Sequence, residues 1–336
     1  MSSLIKNLHI QNFKSVRDLT LECDRINIFI GKPNAGKSNV LEAISLLGAG
    51  YSEGRFMEGF VRYKTIVEMF SDFSFRNSIK VETDQLRCVL RIDDKKEVID
   101  FSLTNINGIN DEYHPPFWGR GISIAGEINS IGPNNQPIPQ PVKVKKYAFK
   151  LFEEFKENGL FLHPPHGENF YLMVRSHKEL REEINQFMQP NGLKLFLDDG
   201  TNRISLVRET EDGFLNFPLH LVPDTFQRYI FHLAAIMSNR DSVLLFEEPE
   251  SHSYPPYVYQ LAQYILEDEG RNQFFITTHN PYFLLPIMQE GKDVAVFVTW
   301  FKDYQTHARR LTEEELSEVL NYGVDLFLNL DHFIPE

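Results

Sequence analysis

The chain has few cysteines and no long apolar run, and each absence excludes a class of protein. Only Cys23 and Cys88 occur among 336 residues, far apart and without CxxC spacing, which excludes a disulfide framework and a cysteine zinc site. No segment approaches the roughly 20 apolar residues that cross a membrane. Charged and polar residues interrupt MSSLIKNLHIQNF, where a signal peptide needs an apolar core. We therefore expect a cytoplasmic protein that does not contact a membrane.

Basic residues are also in short supply. Lys and Arg total 34 against 47 Asp and Glu, which gives a formal net charge of −13. Phosphate backbones attract basic surfaces, so a role in coating nucleic acid with the whole chain is excluded. The densest basic run is VKVKKYAFK. We interpret it as the start of a solvated amphipathic helix that continues through YAFKLFEEFKENG, with a local DNA-binding patch as the alternative.

Hydrophobic periodicity divides the chain into three parts. Residues 1–103 predict a β lobe and a glycine-rich loop, with strands in SLIKNLHIQNF, LTLEC, RINIFI and the alternating segments after about residue 70. Residues 104–215 begin with an Asn-, Gly- and Pro-rich excursion and predict an insertion with a helical lobe. Residues 216–336 alternate helix and strand, which is typical of a parallel sheet flanked by helices.

The glycine-rich loop directly follows the strand RINIFI and precedes a helical pattern. Its sequence satisfies GxxxxGK[ST], in which backbone amides surround a phosphate at a helix N-terminus. Lys37 would reach the β- and γ-phosphates, and the Ser38 hydroxyl would bind Mg²⁺. The predicted nucleotide-binding residues are Gly31, Lys32, Pro33, Asn34, Ala35, Gly36, Lys37, Ser38 and Asn39.

Two acids follow a second apolar strand in SVLLFEEPE. Open α/β sheets bind ligands at the carboxyl ends of their strands, which is where Glu247 and Glu248 are predicted to lie. We predict that Glu247 holds Mg²⁺ through water, together with Ser38, and that Glu248 is the catalytic base that orients or polarises the attacking water.

Histidines and later acids need separate treatment. The segment QFFITTHNPYFL predicts a third strand end, at which His279 would donate to the γ-phosphate and take part in catalysis. His163 and His166 lack metal-ligand spacing, so structural roles are favoured. Asp325 and Asp331 are interpreted as surface or capping groups.

Together, IQNFKSV, GKPNAGKS, LLFEEPESHSYPP and ITTHNP resemble the ABC-type ATPases of the SMC, RecF and OLD group. The resemblance is strongest to compact bacterial AAA-family ATP-binding proteins without a coiled-coil arm. It implies an α/β P-loop NTPase fold with a mixed-sheet core, an antiparallel β lobe and a helical excursion, like an ABC ATPase head. It also implies ATP and Mg²⁺ as cofactors and a homodimer or higher oligomer that pairs head to tail with ATP between the copies.

Two positions depart from the family pattern. The signature region is placed at VPDTFQRYIFHLAAI, where the family has Ser and Gly that contact the partner's γ-phosphate. Here the candidate residues for contact with the partner copy are Asp224, Thr225, Gln227 and Arg228, and Asp224 with Gln227 is predicted to form a capping box. Glu247 stands where the family usually has Asp, which predicts slow hydrolysis.

The leading hypothesis is a slow ATPase whose nucleotide-gated dimerisation controls a partner, in DNA repair or phage defence. OLD-type relatives carry a nuclease module after the ATPase, and this chain has too little length for one, so a nuclease or effector is expected to be a separate protein. An ATP-responsive scaffold with negligible hydrolysis is the alternative. A kinase or GTPase on the same loop is a third hypothesis, against which the absence of an NKxD stretch argues. DNA is a further candidate partner.

Overall fold

The computed structural model describes residues 5–52, 54–93, 98–106, 118–128, 143–152, 155, 159–322 and 326–335. Its strands are β1 (Asn7–Phe13), β2 (Val16–Glu22), β3 (Ile26–Ile30), β4 (Ile79–Thr83), β5 (Leu86–Asp93), β6 (Val98–Asn105), β7 (Trp118–Ile122), β8 (Lys143–Tyr147), β9 (Lys194–Asp198), β10 (Arg203–Thr210), β11 (Gly213–Pro218), β12 (Ser242–Glu247), β13 (Gln273–Thr277), β14 (Val294–Lys302) and β15 (Gln305–Arg310). Its α-helices are α1 (Lys37–Ser45), α2 (Phe170–Ser176), α3 (Lys178–Met188), α4 (Asp224–Ser238), α5 (Pro255–Leu266), α6 (Pro281–Glu290) and α7 (Glu313–Tyr322).

The central sheet has the strand order β15-β14-β3-β13-β12-β8. All neighbours in it are parallel except β15, which returns antiparallel to β14. Strands β3 and β13 are buried at every position, because helices and the second sheet cover both faces of a parallel sheet. The predicted mixed-sheet α/β core is confirmed, with β3, β13 and β12 side by side so that their carboxyl ends meet.

A six-stranded antiparallel sheet forms the predicted β lobe, in the order β2-β1-β4-β5-β6-β7. Alternation of buried and exposed side chains along β2 and β4 explains why only one face of this sheet enters the core. The two sheets meet where the backbone amide of Thr306 in β15 donates to the carbonyl of Ser15 at 2.7 Å. The lobe therefore joins the central sheet beside the glycine-rich loop.

The opposite face of the central sheet is covered by helices and by a small antiparallel sheet, β11-β10-β9. Helices α2 to α5 bury apolar side chains in one core cluster with β12 and β13. Within the described part of the chain, every helix is too short or too polar to traverse a bilayer.

The basic run at 143–147 is a strand, so the prediction of a solvated helix there is wrong. β8 is the edge of the central sheet and pairs in parallel with β12. Residues 148–152 have no helical structure, and Lys145 and Lys146 are 1% and 4% exposed. The periodicity misleads because each buried lysine finds its polar partner on a distant segment, which no local pattern shows. Of this run, Lys143 and Lys150 remain exposed.

Candidate nucleotide site

The loop between β3 and α1 depends on two glycines. Gly36 has φ of 95°, and a Cβ there would lie 1.8 Å from the Thr306 hydroxyl oxygen. A Cβ on Gly31 would lie 2.2 Å from the carbonyl oxygen of Thr299. Any side chain at either position would collide with β14 or β15, so glycine is required for this close approach. The backbone is thus held in the tight turn that precedes a helix N-terminus.

Lys37 lies inside this turn and is 6% exposed. Its Nζ donates to the carbonyls of Gly31 at 2.8 Å and Lys32 at 3.0 Å. Burial lowers the pKa of Lys37 to about 8, although the charges of Glu248 and Glu247 act in the opposite direction. The ammonium therefore lies within the loop, with two carboxylates near enough to influence it.

Glu247 ends β12 and has cations on both sides. Its Oε2 lies 3.4 Å from Lys146 Nζ, and its Oε1 lies 3.6 Å from an Arg62 guanidinium nitrogen. Burial raises the pKa of this carboxyl. The charge of Lys146, the hydrogen bond from Ser38 and the charge of Arg62 together outweigh burial, so the pKa is lowered overall. An ionised carboxylate beside a serine hydroxyl is an oxygen donor set that suits Mg²⁺. The residues present therefore fit this ion.

Glu248 and His279 face each other at adjacent strand ends. Glu248 has φ of 44°, a costly conformation for a non-glycine residue, and its amide donates to the carbonyl of Thr277 at 3.0 Å. The carboxylate lies 3.5 Å from His279 Nε2 and accepts from the Ser251 hydroxyl at 3.2 Å. Burial and the Lys37 charge lower the pKa of His279, against the effect of Glu248. A neutral imidazole can donate one hydrogen bond and accept another.

Sequence reasoning missed Glu250, which supports this strand end from beneath. Glu250 is 4% exposed, and its Oε1 accepts from the Thr278 hydroxyl and from the His279 amide, the latter at 3.3 Å. Burial raises its pKa to about 7, although these hydrogen bonds act to lower it. The signal was the third acid of the EEPE run. It was passed over because its partners follow a different strand.

The signature-like helix begins differently from the prediction. Pro223 is the N-cap of α4 and no side chain caps the helix, so the predicted capping box is wrong. The Asp224 carboxylate instead accepts from Arg228 Nε at 2.6 Å, because both lie on one helical face. Thr225 donates its hydroxyl to the carbonyl of His252 at 2.7 Å, and the buried Gln227 amide donates to the carbonyl of Val222. Asp224, Thr225 and Arg228 thus lie at the protein surface, whereas Gln227 is turned inward.

The remaining candidates have structural partners. Asn39 donates to the Ser15 hydroxyl at 2.7 Å. His166 Nδ1 lies 2.8 Å from the carbonyl of Ala148, and Asp331 binds Lys32 with both carboxylate oxygens at 2.7 Å. Asp325 lies outside the described residues. Among the residues that the structure does describe, no group of three His, Cys, Asp or Glu could hold a metal ion.

Comparisons with known proteins identify the family of this chain. A family model described as an AAA domain matches residues 7–191, more than half of the chain. A second AAA-domain model, whose description names the AbiEii toxin of type IV toxin–antitoxin systems, matches residues 128–285. An ATP/GTP phosphatase of Helicobacter pylori is 20% identical over a 333-residue alignment that covers 84% of this chain and 86% of that protein. A stretch of 44 residues is 50% identical to the uncharacterised protein MJECL10 of Methanocaldococcus jannaschii, and it spans only 20% of that protein's length and 13% of this chain.

Two solved structures show the same fold at low sequence identity. An Smc head bound to the C-terminal winged-helix domain of ScpA has a TM-score of 0.54 at 13% identity and covers 92% of this chain and 98% of that one. An Smc head with an extended coiled coil, bound to the C-terminal domain of ScpA derived from Pyrococcus furiosus, has a TM-score of 0.51 at 12% identity and covers 95% and 98%. The chain belongs to the AAA-domain family and has the P-loop fold of an SMC-type ABC ATPase head.

Proposed function

We propose that this chain is a slow ATPase whose nucleotide-gated dimerisation controls a partner protein. One observation carries the proposal. The ammonium of Lys37, the two carboxylates of Glu247 and Glu248, and the imidazole of His279 converge where the carboxyl ends of β3, β12 and β13 meet. This is the place at which open α/β sheets bind their ligands.

Each side chain would have one task in ATP hydrolysis. Lys37 and the loop amides would bind the β- and γ-phosphates, and Ser38 with Glu247 would hold Mg²⁺, which neutralises phosphate charge when bound. Glu248 would accept hydrogen bonds from the attacking water and orient it toward the γ-phosphate. His279, kept neutral by its surroundings, would donate Nε2–H to a γ-phosphate oxygen.

Dimerisation is proposed from the surface around the start of α4. Asp224, Thr225 and Arg228 lie there, and Thr225 is joined to the loop that follows Glu248 through the His252 carbonyl. In a head-to-tail pair these groups would face the partner's γ-phosphate. A partner in DNA repair or phage defence, such as a separate nuclease or effector, follows from the family resemblance. Direct DNA binding loses its main support, because Lys145 and Lys146 are buried.

The experiment compares the wild type with Lys37→Ala and Glu248→Gln. We expect Lys37→Ala to lose ATP binding, because the loop loses its only inward-pointing charge among the described residues. We expect Glu248→Gln to keep ATP binding and to form a stable dimer, with phosphate release slowed roughly 10²- to 10⁴-fold. Phosphate release and light-scattering mass are measured with ATP and, separately, with GTP.

The matched control is Glu314→Gln, an exposed acid on α7. It should behave as the wild type in both assays. Unchanged turnover in both Lys37→Ala and Glu248→Gln would reject the site. Equal turnover of GTP would reject a preference for ATP.

An ATP-responsive scaffold with negligible hydrolysis is the second candidate function. It is favoured by the altered signature helix and by Glu247, which Lys146 and Arg62 already engage. It requires an ATP-dependent increase in mass with phosphate release no faster than that of Glu248→Gln.

A further inference from the structure

Strand β8 carries two adjacent buried lysines on opposite faces of the central sheet. Lys145 lies opposite Leu244 of β12, and Lys146 lies opposite Leu245. Glu247 follows Leu245 by two residues in β12. Because side chains alternate along a strand, Lys146 and Glu247 lie on the same face of the sheet. Lys145 points to the other face, where its Nζ donates to Asn239 and lies 3.4 Å from the centroid of the Phe161 ring.

Lys146 is held in place beside the Glu247 carboxylate. Its Nζ donates to the carbonyl of Phe60 at 2.9 Å, which fixes the ammonium in place, and lies 3.4 Å from Glu247 Oε2. Arg62 faces the other carboxylate oxygen at 3.6 Å and is anchored in turn by Glu42, through Nε to Oε1 at 2.6 Å. Both oxygens of Glu247 therefore face a cation whose position is set by other groups.

A buried ammonium is costly unless it is paired, so Lys146 needs a reason to be in the interior. The Phe60 carbonyl accepts from its ammonium, and among the described residues its acidic partner is Glu247. Groups that hydrogen-bond a metal ligand fix its orientation, and their loss typically costs 10- to 100-fold in metal affinity or activity. A cleft of about 310 Å³ is lined by Lys146, Arg62 and Glu247, so water reaches this carboxylate.

We propose that Lys146 is a positioning residue that holds the Glu247 carboxylate beside the Ser38 hydroxyl, in the orientation that Mg²⁺ bound with a nucleotide requires. This inference rests on the proposed function, because it concerns the metal site of the same nucleotide. The opposing idea is that Lys146 only fills the interior or repels the metal. For removal of Lys146, the positioning role predicts a higher Mg²⁺ requirement, a space-filling role predicts no change, and repulsion of the metal predicts a lower one.

The test measures binding of a fluorescent ATP analogue to Lys146→Met, first in EDTA and then across a Mg²⁺ titration. We expect affinity in EDTA to stay within about twofold of the wild type, because the P-loop is untouched. The Mg²⁺ half-effect is the Mg²⁺ concentration that produces half of the Mg²⁺-dependent change in analogue binding. We expect it to rise roughly 10- to 100-fold. Lys146→Arg, which keeps the charge, should restore most of the Mg²⁺ response.

Lys145→Met is the matched control, since it removes a neighbouring buried lysine that does not contact Glu247. It should leave both the EDTA affinity and the Mg²⁺ half-effect unchanged. An unchanged or lowered Mg²⁺ half-effect in Lys146→Met would overturn the inference, as would an equal rise in Lys145→Met.

A second variant keeps the test decisive if Lys146→Met does not fold. Glu247→Asp shortens the acid and withdraws its carboxylate from Lys146. In an otherwise wild-type chain it should therefore raise the Mg²⁺ half-effect. In a Lys146→Arg background, where the longer guanidinium can follow the carboxylate, the rise should be smaller. Equal rises in both backgrounds would contradict a link between the two side chains.

Failure of the inference differs from failure of the proposed function. If the wild type binds no analogue with or without Mg²⁺, the proposed ATPase is rejected. If the wild type shows Mg²⁺-dependent binding that Lys146→Met leaves intact, only the positioning role is rejected.

Discussion

The two faces of the central sheet are covered in different ways. Toward α1 and the β lobe, alternating charges form a continuous series: Lys14, Glu42, Arg62, Glu247 and Lys146. Toward α3, α4 and α5, aromatic rings pack against one another, with centroid distances of 4.2 to 6.5 Å: Phe187, Phe226, Tyr229, Tyr257 and Tyr264.

The difference separates two tasks. The hydrophobic effect is non-directional, so the aromatic face stabilises the fold without taking part in the charged series around Glu247. The charged face draws its members from five segments that are distant in sequence, and each ion fixes the next. We infer that both faces contribute to stability and that the charged face also positions the Glu247 carboxylate.

Removing the charge of Glu42, the fully buried acid of the charged series, should have the largest effect on stability. Glu42 is fully buried and binds Lys14 and, through Oε1, Arg62 Nε. We expect Glu42→Gln to lower the free energy of unfolding by about 3–5 kcal/mol, because two cations lose a buried partner. Urea denaturation measures this change, with the exposed Glu22→Gln as control. A loss below about 1 kcal/mol would show that solvent already screens the series.

Truncation of a ring in the aromatic face should lower the free energy of unfolding by less and leave the nucleotide site intact. Phe187 stacks on Tyr229 at 4.2 Å and meets Phe226 edge-on at 4.9 Å. We expect Phe187→Ala to lower the free energy of unfolding by about 3 kcal/mol, the lower end of the range because the ring is only partly buried. Nucleotide affinity should remain that of the wild type. A parallel fall in affinity would show that the two faces are coupled.

The smallest effect concerns Lys145, the buried lysine that β8 directs toward the aromatic face. Burial lowers its pKa from 10.5 to about 7. Above pH 7 the unfolded chain therefore binds more protons than the native state at this group, so stability should rise with pH. Between pH 7 and 9 we expect the wild type to gain about 1 kcal/mol per pH unit relative to Lys145→Met. Parallel pH profiles of the two proteins in denaturant titrations would contradict this.

The parts of the site that sequence predicts are those set by local pattern. Gly36 and Lys37 belong to one short motif between a strand and a helix, and the apolar run before Glu247 fixes the strand from which it emerges. The fold class and the parallel order follow from the same alternation of helix and strand. The assigned roles of these residues stay predictions until nucleotide binding is measured.

What local pattern cannot show is a polar group whose partner lies on another segment. Lys146 belongs to a run that is basic enough to indicate a surface, yet its partners are the Phe60 carbonyl and Glu247. Asp224 has the composition of a helix cap, but Arg228 competes for its carboxylate one turn later. For Lys146 a tertiary contact overrides the local preference, and only the fold brings it to Glu247. The Asp224–Arg228 pair is instead a local contact along one helix, which competes with capping.

The Ser15 hydroxyl has a mechanical consequence. It meets the Thr306 hydroxyl at 2.6 Å and accepts from Asn39 at the start of α1, so a β-lobe turn, the β15 hairpin and the phosphate loop share one junction. A force on the β lobe would be transmitted to the phosphate loop through these hydrogen bonds. We expect a displacement of the β lobe to displace the phosphate loop as well.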